Sequence, residues 1–149
     1  MNFDQEHVNQ IFVTKKWARE WSGFSKKANH RGFVVGTAFL VDASDAAIPG
    51  MTLHIQSRVG TISANCLITF SIFQRIDLVR HRTYQLEICP FEKFSHKGVE
   101  IIYGPHEHTP DGKVRAVRKR GVNCHDWHGS LAWFLARTNI EYFDVEQPC

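Results

Sequence analysis

The chain has 149 residues, enough for one core that buries roughly 70% of the surface exposed when unfolded. An apolar share of 43% with 22% charged residues argues against long disorder, and a net charge of +3 excludes neither a polyanionic nor a neutral partner. No apolar run is long enough to span a bilayer.

Asp4 is a plausible helix cap, and Val8, Ile11, Phe12, Lys15, Ala18 and Trp21 recur at three-and-four spacing, which predicts a long amphipathic helix ending at Ser22 and Gly23. The polar, basic stretch from Phe24 to Gly32 reads as a loop. Phe33 to Val41 is β-rich, and Asp42 to Gly50 carries turn chemistry. From Met51 the period changes to two: Leu53 and Ile55 face one way, His54 and Gln56 the other. Cys66 to Phe73, Thr83 to Cys89 and Val99 to Tyr103 repeat the strand pattern, and Lys113 to Val117 is a charged edge strand after the turn Thr109-Pro110-Asp111-Gly112.

Asp126 can cap a final helix carrying Leu131, Phe134 and Leu135, with Gly129 weakening its first turn and Asn139 ending it. The expected fold is α+β: one domain over 1–149, an antiparallel sheet of about five strands, and an amino-terminal and a carboxy-terminal helix packed on one face.

Met1 to Glu6 lacks the basic flank and apolar run of a secretory signal, so a cytoplasmic protein is expected. Cys66, Cys89, Cys124 and Cys149 form no CxxC pair, and most sit in apolar or strand-like contexts, which reads as plain buried thiols.

Of nine histidines, four fall close together: His106, His108, His125 and His128. Residues two apart in a strand share a side, so His106 and His108 can converge while Glu107 points away. Residues three apart at a helix start share a face, so His125 and His128 can converge too. Such a cluster suits two uses. One is a transition metal such as zinc held by His106, His108, His125 and His128, with Asp126 or Glu107 as ligand or orienting carboxylate. The other is metal-free acid and base catalysis on a phosphodiester, with cations stabilising the charged transition state. The plain alternative is a set of exposed loop residues.

Lys113, Arg115, Arg118, Lys119 and Arg120 are candidates for holding phosphate, and Trp127 for stacking on a base. Lys15, Lys16, Arg19, Lys26, Lys27 and Arg31 form a second basic region, which a solvated face also explains. The remaining histidines, His54 among them, read as surface residues.

The strand Asn65 to Ser71, the element His106-Glu107-His108-Thr109 and the helix start Asp126-Trp127-His128 resemble a group of small uncharacterised bacterial proteins that carry an HxHT element and then an aspartate, an aromatic and one or two histidines. Such proteins occur beside mobile elements and toxin-antitoxin loci. The resemblance implies site roles for His106, His108, Asp126 and His128. Ser130 stands where that group tends to place a second helical histidine, which departs from a four-histidine metal site.

The leading expectation is a small phosphodiester-cleaving or nucleotide-processing enzyme, in the form of a toxin-type ribonuclease acting on RNA or a nucleotide, with His106, His108, His128 and Asp126 at its centre. The alternative is a non-enzymatic interaction protein that binds a protein or nucleic-acid partner. A zinc-stabilised structural module is a third.

Overall fold

The protein is described by a computed structural model covering residues 3–60, 65–97 and 101–149. Helix α1 (Gln5–Phe12) starts as expected, with the Asp4 carboxylate accepting from the His7 amide, but it ends ten residues early. Lys16 accounts for the stop. Its buried ammonium donates to the carbonyls of Gln10, Ile11 and Thr14 at 2.6, 2.9 and 2.7 Å, satisfying the end of the helix. Burial pulls the Lys16 pKa down to about 7, while these acceptors at the negative end of the helix favour the charged form. The chain then enters β1 (Trp17–Arg19) and β2 (Ser25–Lys26). The periodicity read as helix beyond Phe12 is thus overridden by strand pairing.

The middle of the chain follows its alternation. Strands β3 (Phe33–Val41), β4 (Ala47–Arg58), β5 (Ile68–Ile76) and β6 (Val79–Ile88) form an antiparallel meander. A separate two-stranded ribbon follows, β7 (Phe94–Lys97) with β8 (Ile101–Tyr103); Val99, the expected start of that second strand, lies outside the described residues. The chain rejoins the main sheet through β9 (His106–His108) and the edge strand β10 (Val114–Ala116). Helix α2 (Trp127–Arg137) closes the fold, capped by Asp126 on the Gly129 amide. Gly129 is needed there, because a Cβ would sit 2.6 Å from the Gly121 carbonyl oxygen.

Among the described residues the main sheet has eight strands in the order β1-β3-β4-β5-β6-β9-β10, with β2 also on β3. The expected five is too few because β1, β2 and β9 have only two or three residues each, too short to show a period, whereas the edge strand β10 falls within the expected Lys113 to Val117. The α+β class and the antiparallel arrangement hold. Both helices pack on one face: Ile11, Leu131 and Phe134 join Leu53, Ile55, Phe70, Ile72, Tyr84 and Leu86 in a single apolar cluster.

Cys66 and Cys124 are joined in a disulfide with their Cα atoms 6.1 Å apart, tying the approach to β5 to the loop before α2. The reading of these two as thiols is therefore corrected; the long separation in sequence hides a pairing that only the packing of α2 creates. Cys89, buried, and Cys149, exposed, lie outside the disulfide. Among the described residues no helix is long and apolar enough to cross a membrane.

Candidate functional site

Strand register gathers polar residues on the sheet face opposite the helices. Thr37, His54, Ser71, Gln85 and His108 are successive cross-strand neighbours from β3 to β9. Two residues along, Gln56, Thr69, Glu87 and His106 make a parallel row. Side chains alternate along a strand, so both rows project to the face the helices leave open. A groove of about 630 Å³ runs over this face, lined among others by Lys27, His54, Gln56, Arg80, Arg82 and Glu87. That volume lies within the range of small-ligand sites.

The floor is cross-linked by side chains. Arg82 donates to Gln85 at 3.1 Å and Gln85 to Ser71 at 3.0 Å, while Lys27 donates to Gln56 at 2.6 Å. His54 packs edge-on to Phe73 at 4.6 Å, and Arg80 lies over the same ring at 4.5 Å. Burial, with the positive charges of Arg80 and Lys27, holds the His54 pKa down at about 4, so this imidazole is neutral at physiological pH. The alternation of β4 had placed His54 on the polar side; that this side is a groove floor follows only from the register of four strands.

His106 and His108 sit side by side on β9 with ring centroids 5.1 Å apart, as their spacing predicts. His106 is buried. Its Nδ1–H donates to the Gly104 carbonyl at 3.1 Å, which leaves Nε2 facing Oε2 of Glu87 at 3.3 Å. Gly104 makes this possible: it has φ of 75° and packs so tightly on Phe91 that a Cβ would lie 3.1 Å from the Phe91 Cα. His108 is partly exposed and lines a smaller pocket with Arg82, Thr83 and Lys113. Arg82 borders both this pocket and the groove.

Glu107 points the other way, as alternation requires, and so is no site carboxylate. It is buried among the helices, accepts from the Tyr84 hydroxyl at 2.8 Å, and holds Arg137 of α2 in a two-pronged ion pair at 3.0 and 3.2 Å. Burial and the Glu107 carboxylate push the Tyr84 phenol far up, which keeps it a neutral donor.

The expected meeting of two histidine pairs does not occur. Asp126 is spent on capping α2, and His128 pairs with Asp144 at 3.2 Å on the exposed side of that helix. His125 precedes the cap, outside the first turn, so the three-residue spacing does not align it with His128. Among the described residues, neither joins His106 or His108 in a group of ligand atoms close enough to share an ion. The group that does form is Glu87, Cys89 and His106, whose ligand atoms lie within 4.8 Å of one another.

Trp127 is corrected as well: it is buried in the apolar cluster and donates its indole N–H to the Val145 carbonyl at 2.6 Å, so it has no face to offer a base. Of the five cations from Lys113 to Arg120, only Lys113 lines the His108 pocket. Arg115 turns toward Asp111 at 3.7 Å, Arg118 donates to the Tyr103 carbonyl at 2.7 Å, and Lys119 and Arg120 are exposed in the loop after β10. The cations at the groove, Lys27, Arg80 and Arg82, come instead from just past the end of β2 and from β6. No family model, curated protein or solved structure matches the chain.

Proposed function

We propose that the open sheet face is the active-site groove of a small phosphodiester-cleaving enzyme acting on RNA or a nucleotide. The observation that carries this reading is the adjacency of His108, the His106–Glu87 pair and Arg82 on one polar, partly enclosed face. A neutral His108 takes the proton from the attacking hydroxyl, which is the ribose 2′-OH in RNA or water otherwise. Arg82 and Lys113 stabilise the charge that builds on the phosphoryl oxygens. A proton shared between Nε2 of His106 and Oε2 of Glu87 passes through Glu87 to the departing oxygen, while the proton taken by His108 is released to solvent afterwards. In this reading the toxin-type ribonuclease anticipated from the HxHT element keeps His106 and His108 and loses Asp126 and His128.

Incubation of the purified protein with RNA, DNA and nucleotides, with products resolved by chromatography, tests this. Turnover of at least one phosphodiester is expected. Absence of turnover across the panel would sink the reading.

One feature favours a second reading, an interaction protein. Leu78 stands at the turn between β5 and β6 with φ of 66° and 90% exposure, next to Val79 at 55%. If that tip docks a protein partner, Leu78→Asp abolishes a stoichiometric complex recovered from the host.

The Cys66–Cys124 bond fits an oxidising compartment, and residence in the cytoplasm would require both cysteines reduced.

A further inference from the structure

We propose that Glu87, Cys89 and His106 form a zinc site at the buried end of the groove. Three kinds of ligand meet there: Glu87 from β6, Cys89 just past the end of that strand, and His106 from the neighbouring β9. Glu87 is directly opposite His106 in the β6–β9 ladder, and Cys89, two residues beyond Glu87, projects to the same side. The carboxylate oxygen, the sulfur and the imidazole nitrogen all fall within 4.8 Å of one another.

The spacing suits a tetrahedral ion. Bonds of about 2.0 to 2.1 Å to nitrogen and oxygen separate two ligand atoms by about 3.3 to 3.4 Å, and Nε2 of His106 is 3.3 Å from Oε2 of Glu87. The imidazole is already oriented for the task, since its Nδ1–H is donated to the Gly104 carbonyl. Such an outer hydrogen bond fixes the tautomer that leaves Nε2 as the ligating lone pair.

Charge also balances. A carboxylate, a thiolate and a neutral imidazole together carry two negative charges, which one divalent cation cancels in a place where His106 is 1% and Cys89 3% exposed. The mixture of sulfur, nitrogen and oxygen donors selects zinc over magnesium or calcium, which take oxygen. Three protein ligands leave a fourth position, the arrangement of a zinc ion that can also bind water or substrate. On binding, Cys89 gives up its thiol proton, so uptake of zinc acidifies the solution.

The site stands on its own geometry; only its use as the positive charge at the leaving oxygen rests on the phosphodiester reading. The full chain, purified without a histidine tag, with its disulfide intact and stripped of metal by a chelator, is titrated with zinc and with cobalt(II). One zinc per chain is expected, and the cobalt form should show thiolate-to-metal charge-transfer absorption. Cys89→Ser should abolish that absorption and weaken zinc binding by at least about 100-fold, because even partners outside the coordination sphere cost 10- to 100-fold. His128→Ala should bind zinc unchanged.

Folded wild-type protein that takes up no stoichiometric zinc overturns the proposal, as does wild-type affinity in Cys89→Ser. If Cys89→Ser does not fold, the cobalt spectrum of the wild type decides: no thiolate band, no site. Zinc binding without phosphodiester turnover upholds the site and removes the hydrolase, whereas turnover by metal-free protein that binds no zinc does the reverse.

Discussion

His106 and Glu87 face one another across the ladder between β6 and β9, Nε2 to Oε2 at 3.3 Å, with the histidine buried and the glutamate bordering the groove. A buried imidazole held by a carbonyl on one side and a carboxylate on the other meets the groove at the charge of Glu87. Glu87→Gln keeps the shape and removes that charge. Phosphodiester turnover is expected to fall by about 100-fold or more, with unfolding free energy changed by less than about 1 kcal/mol in urea titrations.

Glu107, one residue along, has the opposite profile. Its carboxylate accepts from both the Tyr84 hydroxyl and the Arg137 fork, and Arg137 in turn stacks on Phe12 at 4.2 Å. Glu107→Ala leaves a partly buried guanidinium without its counter-charge and should cost about 3 to 5 kcal/mol in chemical denaturation. A residue serving only the groove would show no such loss.

The bond between Cys66 and Cys124 closes a long stretch of chain. The double variant Cys66→Ser, Cys124→Ser is expected to lose about 2 to 4 kcal/mol of stability. Thiol titration of the denatured, unreduced protein should find two thiols, Cys89 and Cys149, and four after reduction.

His54 gives the fold a pH dependence of known sign. Its pKa is depressed to about 4 from an ordinary 6.5 by burial and by Arg80 and Lys27. The unfolded chain therefore binds a proton below about pH 6.5 that the folded one refuses until about pH 4. Stability falls as pH drops through that window, and His54→Gln should flatten this part of a melting-temperature profile recorded from pH 7 to pH 4.

Long strands and caps were legible in the sequence because their patterns are local. Phe33 to Val41 is a strand over the predicted range, and Asp4 and Asp126 cap the two helices. The pairing of His106 with His108, and the turning away of Glu107, also follow from alternation alone. What could not be read is everything set by register between distant segments. Glu87 and Cys89 meet His106 only because the chain leaves the sheet as the β7–β8 ribbon and returns to pair with β6. His128 looked equivalent to His108 in the sequence, yet helix α2 turns it toward Asp144. The end of α1 was missed for a related reason, since Lys16 serves as its carboxy-terminal cap through a side chain that periodicity treats as solvent-facing.

The open sheet face that carries the groove and the adjoining His108 pocket, and not the start of α2, is the proposed seat of chemistry, and turnover by His108→Ala measured beside His128→Ala tests this most directly. Loss of about 100-fold or more is expected in His108→Ala, with His128→Ala within about twofold of wild type, a change worth less than about 0.5 kcal/mol. Full activity in His108→Ala, or collapse in His128→Ala while the protein remains folded, would contradict it.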